Sequence, residues 1–468
     1  MLRTEFYTYG TAGTASIVIE RLNKISLVYE TAYVGKADLG TFKDTDNYVE
    51  VNMMDSGLAT CFKDNAGTEY AILDPNPFLS PLLWAFYLYW NYPPGVGVKK
   101  FKYFEMIDLA RTLIDQMTGG KITDGTYLFK SDILTQYASF RYFLPAYPPV
   151  TRSIVMTTGE SIRRGAGDPQ LKVKTSFDDL FKAINQILGV GVGIEIDTTT
   201  GREQIRIELK SYFFDNISSV IDLGSSKTIN ISIDKNSFNK LKVGWPEKEY
   251  TNNLAQKESN YESSWVVNNA GSTNELDLTS KYRTDTQGIT ELLIYGNDTS
   301  DDDIFICDAL YDNYETLFYT NTPIKDDYSA WTTGNAWFSP RSCIYSNLSY
   351  ISSLLYNFAG ENITFTSGSI NLSGIQIDFG GGWVAESDPV VITAPAYFIP
   401  VTFEIECALP NTLIASLNSN SNRRASFEYE GVTYYGWIME VKAKLAGRGS
   451  GKIKLLSLPD NDLTPLIR

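Results

Sequence analysis

Thr175–Phe213 reads TSFDDLFKAINQILGVGVGIEIDTTTGREQIRIELKSYF, and it spells a helix followed by a β-hairpin. Thr175 or Ser176 can cap the helix, and Asp178 and Asp179 fall in the first turn, where the positive end of the macrodipole favours anions. Phe177, Leu180, Phe181, Ile184, Ile187 and Leu188 recur at helical spacing and form one apolar stripe. Gly189 can supply the left-handed stop. The period then switches to two. Val190, Val192, Ile194 and Ile196 alternate with Gly191, Gly193 and Glu195. A polar turn ends at Gly201, and Ile205, Ile207 and Leu209 alternate with Arg206, Glu208 and Lys210 in a half-buried strand. The unit is well specified as structure and contains no catalytic constellation.

Outward from this unit, the chain of 468 residues is too long for one ordinary core, so several domains are expected. The sequence divides into an N-terminal β domain (1–100), a mostly helical connecting block (101–172), the α/β helix-hairpin module (173–248), a mixed α+β region (249–401) and a C-terminal β domain (402–468). The fold class this predicts is α+β, predominantly β, with several β-barrel or sandwich domains and helix-hairpin modules between them.

The stretch before about Pro77 reads as all-β, from the alternation around Ile17, Ile25 and Val49. PLLWAFYLYWNYPP (81–94) is almost wholly apolar. It is too short to span a bilayer. It reads either as a loop touching a membrane or partner, or as a strand or helix buried in an interface, and aromatic enrichment favours the second. Trp84, Phe86, Tyr87, Tyr89 and Trp90 are therefore the candidate interface residues. Tyr103, Met106, Ile107, Ala110, Leu113, Ile114 and Met117 form a helical stripe closed by Gly119-Gly120, and a less regular segment runs from Thr126 to Phe143. TTGESIRRGAGDPQLK (157–172) lacks the spacing of a phosphate or dinucleotide loop and reads as an exposed linker.

Further on, Ile229, Ile231 and Ile233, then Leu241, Val243 and Trp245, alternate as strands, and Glu275–Leu278 is a short strand. The acidic run Asn297–Asp303 lacks the calcium-loop pattern and reads as a solvated turn. Ile304–Tyr311 reads as a strand. Ser339-Pro340 starts a helix whose stripe is Ile344, Leu348, Ile351, Leu355 and Phe358, with Gly360 as its stop. Short β segments follow around Ile363–Phe365 and Ile370–Leu372. Gly380–Gly382 before Trp383 reads as a bulge or close backbone approach rather than a phosphate cradle. In the terminal part Phe403, Ile405 and Cys407 alternate, Glu430-Gly431 marks a hairpin turn, and Gly436 marks a bulge.

The chemistry on offer is sparse. With 0 His, Ser-His-Asp and Cys-His centres are excluded, as are the common imidazole metal ligands. The 4 Cys are far apart and without zinc spacing, so they read as reduced, buried small hydrophobes. A net charge of −15 argues against a protein that coats nucleic acid or an anionic membrane. The N-terminus lacks an apolar leader. No catalytic, cofactor or metal residue is assigned, and a non-enzymatic assembly role is favoured. A carboxylate-pair hydrolase acting on polysaccharide survives the lack of His. So does a carbohydrate- or receptor-binding module stacking sugars on Trp84 or Trp383.

The order TGESIRRG, SFDDLFKAINQILGVGVGIEI, IRIELKSYFF, FNKLKVGWPEKEY, NELDLTSKY and YYGWIMEVKAKLAGRGSGKIKLL resembles tail and baseplate hub-like proteins of phages and prophages infecting Bacteroidetes. The resemblance implies β-barrel-like domains with α/β modules between them, assembled as a ring around the tail channel. It implies a virion protein made in the host cytoplasm, whose partners are further copies of itself and other tail or baseplate proteins. DNA would pass through the lumen without specific binding, and no stable membrane association or cofactor is implied. The hub-like module would be Thr175–Phe213; Glu247–Asn335 has no counterpart in that scheme.

Overall fold

The structure is a computed structural model, and it describes residues 15–22, 29–44, 49–54, 58–73, 85–90, 99–136, 152–165, 171–197, 199–214, 220–226, 228–233, 238–246, 262–267, 274–284, 286–296, 300–312, 316–319, 338–355, 362–365, 376–378, 383–385, 387–408, 424–443 and 450–463. It is α+β and mainly β, as the alternation patterns predict.

The helix and hairpin form as read up to Ile207; Leu209, expected on the apolar face, is 41% exposed, and Lys210, expected to point outward on the strand, is buried and opens a short helix. Ser176 caps the helix Phe177–Leu188, its hydroxyl accepting from the Asp179 N–H at 3.2 Å. Gly189 ends it in the left-handed region at φ 65°. Phe177, Leu180, Ala183, Ile184 and Ile187 are buried in the largest core. Strands Val190–Ile196 and Glu203–Leu209 pair antiparallel from Val190↔Leu209 to Ile196↔Glu203. Leu128–Lys130 joins them in parallel, opposite Gln204–Arg206. Val190, Ile205 and Ile207 face this core.

Three-stranded pairing Ala15–Leu22, Tyr29–Asp44 and Val49–Met54 opens the described chain. The all-β expectation for this region fails at Leu58–Asn65, which is a helix. Leu58, Cys61, Phe62 and Asn65 repeat at helical spacing there, but eight residues give the pattern too little length to stand out. Next, Ile304–Asp312, Thr316–Tyr319, Ala85–Trp90, Lys99–Glu105 and Arg152–Thr158 pair in a ring that closes on itself. Tyr103 lies in one of its strands, not on the following helix, Met106–Met117. Phe101, Tyr103 and Phe104 are all fully buried, so the strand is apolar on both faces and its period runs unbroken into the helical stripe.

The segment read as an exposed linker is partly buried, while Ser300–Asp303 is a surface turn, as expected, with Asp302 exposed, and the two dock on each other. Thr158 caps a short helix, Gly159–Arg164, in which Ile162 is fully buried. It docks on Ser300–Asp303: the Gly159 and Glu160 N–H groups donate to the Asp303 and Asp301 carbonyls at 2.9 and 3.0 Å. Arg163 forks onto Asp301, and Arg283 pairs with Asp303 at 2.8 Å. A Cβ on Gly159 would lie 1.8 Å from the Ser300 carbonyl oxygen, so only glycine allows the approach. The expected linker and solvated turn are thus each other's partners, a pairing across about 140 residues that neither segment announces alone.

The later chain builds two large sheets, besides the two-stranded pairing of Gln376–Asp378 with Trp383–Ala385. One orders Glu275–Asp277, Lys240–Gly244, Glu262–Val267, Asn362–Phe365 and Val390–Val391. The other orders Val220–Ser225, Arg424–Tyr429, Val432–Ala443, Ser450–Ser457, Val401–Ala408 and Ile229–Ile233, so the terminal sheet takes strands from the 173–248 and 402–468 segments. Phe403, Phe427 and Tyr434 pack at its centre with ring centroids 5.5–5.8 Å apart. Glu430 and Gly431, at φ 50° and 80°, make the expected hairpin turn. Gly436 is not a bulge; the register shifts between Ile438 and Glu440. Its missing side chain serves close packing, since a Cβ would meet the Leu455 Cβ and Leu456 O at 2.9 Å.

Ser339 caps the predicted helix with Pro340 at its start. The stripe is carried by two short helices, Pro340–Ser346 and Leu348–Leu354, broken at Asn347. Phe358, Gly360, Ile370–Leu372 and Gly380–Gly382 lie outside the described residues. Cys307, Cys343 and Cys407 are buried and Cys61 is half-buried, and none of them forms a disulfide among the described residues.

Candidate functional site

The short helix Lys210–Phe214 is where three parts of the chain meet. Phe213 lies on the hairpin face opposite the core. A Cβ on Gly191 or Gly193 would sit 2.9 or 2.6 Å from its ring, so the alternating glycines are the seat for this aromatic. Phe214 stacks on Tyr397 at 5.1 Å and meets Trp437 edge-on at 5.7 Å, reaching the terminal sheet. Tyr212 and Lys210 each enter a polar cluster.

The first cluster surrounds Arg206. Its guanidinium lies 3.2 Å from Glu195, 2.7 Å from Asp132 and, through Nε, 3.4 Å from Glu208. It also stacks over the Tyr212 ring at 4.4 Å. Gln204 Nε2 and the Tyr212 hydroxyl donate to Glu195. The Glu208 carboxylate accepts the Asp132 and Ile133 N–H groups at 2.6 and 3.3 Å, capping the helix Asp132–Gln136. Burial raises the Glu208 carboxyl, against these two N–H groups and Arg206. Burial lowers Arg206, but Tyr212, Glu195 and Glu208 outweigh it and hold the guanidinium above its ordinary value. Burial, with the neighbouring Glu195, pushes Tyr212 up to about 12. These contacts tie the hairpin, the helix Asp132–Gln136 and the short helix Lys210–Phe214 together, while the Asp132 side chain stays 58% exposed.

The second cluster surrounds Lys210, 9% exposed. Two helices converge C-terminus to C-terminus beside it: a Cβ on Gly189, at the end of one, would lie 2.0 Å from the Ser346 carbonyl at the end of the other. Asn347 Nδ2 donates to the Asn185, Gln186 and Cys343 carbonyls at 3.0, 3.4 and 3.0 Å, serving the last turns of both helices. That fixes its Oδ1 toward Lys210, whose Nζ donates to both Asn347 Oδ1 and Asn185 Oδ1. Nζ also lies 4.6 Å above the Tyr350 ring. The placement suits a cation at two helix ends, while burial pulls the amine down to about 7. Among the described residues no carboxylate appears in these contacts.

The candidate interface residues divide. Trp84 lies outside the described residues. Phe86, Tyr87, Tyr89 and Trp90 lie in Ala85–Trp90, which pairs on both sides within the closed ring and is a strand, not a projecting loop. Trp383 opens the strand Trp383–Ala385. Neither polar cluster is legible as a unit in the sequence. The one visible signal was the alternation of Arg206, Glu208 and Lys210 opposite an apolar face. No group of three or more Cys, Asp or Glu among the described residues could hold a metal ion. No helix among them is long and apolar enough to cross a membrane.

No family model matches the chain, and no curated protein matches it. Among solved structures the chain is similar to one described as "Structure of the Phage P2 Baseplate in its Activated Conformation with Ca". The identity is 13%, covering 96% of this chain and 80% of that chain, with a TM-score of 0.22. A likeness at that level carries no argument about fold or function.

Proposed function

We propose that the chain is a non-enzymatic structural subunit of a phage virion tail, a baseplate or hub-like component that assembles with copies of itself and with other tail proteins. The observation that carries the structural role is the engagement of the Arg206 cluster. Its guanidinium, carboxylates and phenol are committed to tying the hairpin, the helix Asp132–Gln136 and Lys210–Phe214 together. The motif order from TGESIRRG to the terminal YYGWIMEVKAKLAGRGSGKIKLL supplies the particle, through its resemblance to tail and baseplate proteins of Bacteroidetes phages. In a ring around a channel, a net charge of −15 would keep passing DNA from adhering to the wall.

Mass photometry of the full-length protein across concentration tests the reading. A discrete ring-sized oligomer is the expected result, because repeated head-to-tail interfaces close only at fixed numbers. A monomer at every concentration would sink self-assembly into a ring. Turnover of a glycan panel would sink the non-enzymatic reading.

A further inference from the structure

We propose that Lys210 and Asn347 are the partners of an intramolecular amide bond, a side-chain cross-link that fastens the helix-hairpin unit to the helix pair Pro340–Leu354. Three features of the site support it. The Lys210 amine and the Asn347 carboxamide are already in hydrogen-bond contact, within a cluster almost closed to water. The carboxamide cannot swing away, because its nitrogen is tethered to the Asn185, Gln186 and Cys343 carbonyls. A second amide oxygen, from Asn185, holds another hydrogen of the same amine and so fixes its direction.

The reaction needs no oxidant or outside reagent. The neutral Nζ attacks the Asn347 Cγ, the C=O electrons move to Oδ1, and the proton that Nζ sheds passes to Nδ2. Collapse of the tetrahedral centre re-forms C=O, breaks Cγ–Nδ2 and releases ammonia. A new Cγ–Nζ bond remains. A departing nitrogen must carry positive charge as it leaves. Here it does so among three backbone carbonyls at two converging helix ends, where the field favours a cation. Burial supplies the other requirement: with the amine near 7, a large fraction is neutral and nucleophilic at neutral pH. Amide aminolysis is slow between free molecules. Holding the reactants in one orientation is worth effective molarities of about 10⁵–10⁸ M, and a structural bond has to form only once.

The test is the intact mass of the full-length protein, followed by peptide mapping. The expected mass is lower than the sequence mass by one ammonia, with a branched peptide joining the segments that carry Lys210 and Asn347. In Lys210→Arg, which keeps a cation at the helix ends, mass and peptides should return to those of the unlinked chain. A folded protein of unmodified mass would overturn the proposal. So would loss of ammonia without a branched peptide, which marks a backbone succinimide. A branch to Asn185 would overturn the assignment of Asn347. If Lys210→Arg fails to fold, the branched peptide in the unaltered protein still decides the matter.

Discussion

Arg206 lies among three carboxylates, whereas Lys210, one strand end away, meets amide oxygens, an aromatic face and two helix termini. Arg206 sits on the hairpin and Lys210 opens the short helix that follows it, and both anchor that helix. The difference is in desolvation. Arg206 keeps anions beside it, and with Tyr212 they outweigh burial and hold its proton affinity above the ordinary value. Lys210 has dipoles in place of anions, and burial therefore lowers its proton affinity. The first arrangement is a fastening by charge. The second leaves an amine reactive at neutral pH.

The strongest way to break both at once is to remove the core beneath them. Ile184→Asp puts an unpaired carboxylate at a fully buried position of the central helix. The expected loss is about 4 kcal/mol or more, comparable with the whole stability of many domains. Thermal melting of the purified variant should show no cooperative transition for this unit. A soluble variant with unchanged melting would refute the packing assignment.

A smaller effect separates the two forms of Lys210. A free amine there has a folded value near 7, below its ordinary 10.5. Between those values the unfolded state holds a proton that the folded state has lost, so stability rises with pH. The gain would be fully present above the ordinary value and lost as pH falls toward 7. It is worth up to about 4 kcal/mol. An amide does not titrate. Denaturation at pH 7 and pH 10 should therefore show the linked protein running parallel to Lys210→Met, and any unlinked fraction gaining stability at the higher pH.

The seat of Phe213 gives a cycle of moderate size. Gly193→Ala places a methyl 2.6 Å from the Phe213 ring and should cost about 1–3 kcal/mol. Phe213→Ala empties the seat at a similar cost. The double variant should lose less than the sum, because the smaller side chain admits the methyl. Additive losses in chemical denaturation would show that strand and ring do not touch. Arg206→Lys sharpens the other cluster: one ammonium cannot reproduce the fork to Asp132 and Glu195, and a loss of about 1–2 kcal/mol is expected.

These residues also mark what the sequence makes legible. The helix Phe177–Leu188 and its hairpin could be read outright, because capping, stripe and alternation are local and agree with one another. The same holds for Ser339-Pro340 and for the Glu430-Gly431 turn. Tyr103 reads as part of the helical stripe because a doubly buried strand feeding a helix shows no change of composition where the period changes. The docking of Gly159–Arg164 on Ser300–Asp303 was hidden for another reason. Arg163 and Asp301 each look like a solvated charge until the fold brings them together. The Lys210 cluster draws Asn185, Lys210 and Asn347 from three elements, and each residue type is common at surfaces. The glycines at 191 and 193 were visible as alternation, but their reason is a ring twenty residues on.

The smallest predicted effect concerns the start of the central helix. Asp179 accepts from the Ser176 hydroxyl and pairs with Lys281 at 2.7 Å. Burial raises its carboxyl, but the bonds from Lys281 and Ser176 outweigh burial and hold it below the ordinary range. A carboxyl lowered on folding contributes stability that is present above its unfolded value and lost as pH falls through its folded value. Asp179→Asn should therefore melt below the unaltered protein at pH 7 and approach it at acid pH. The pair is partly open to solvent, with side chains 24% and 45% exposed, so the difference at pH 7 should be about 0.5–1 kcal/mol. Raised salt should shrink it further, as it screens an exposed pair and acts less on the contacts of Arg206 with Glu195 and Glu208, whose side chains are 11% and 8% exposed. Equal salt sensitivity in Asp179→Asn and Arg206→Lys would mean that the Arg206 cluster is wetter than its geometry implies, and that the contrast between its charges and the surface pair is one of number rather than of enclosure.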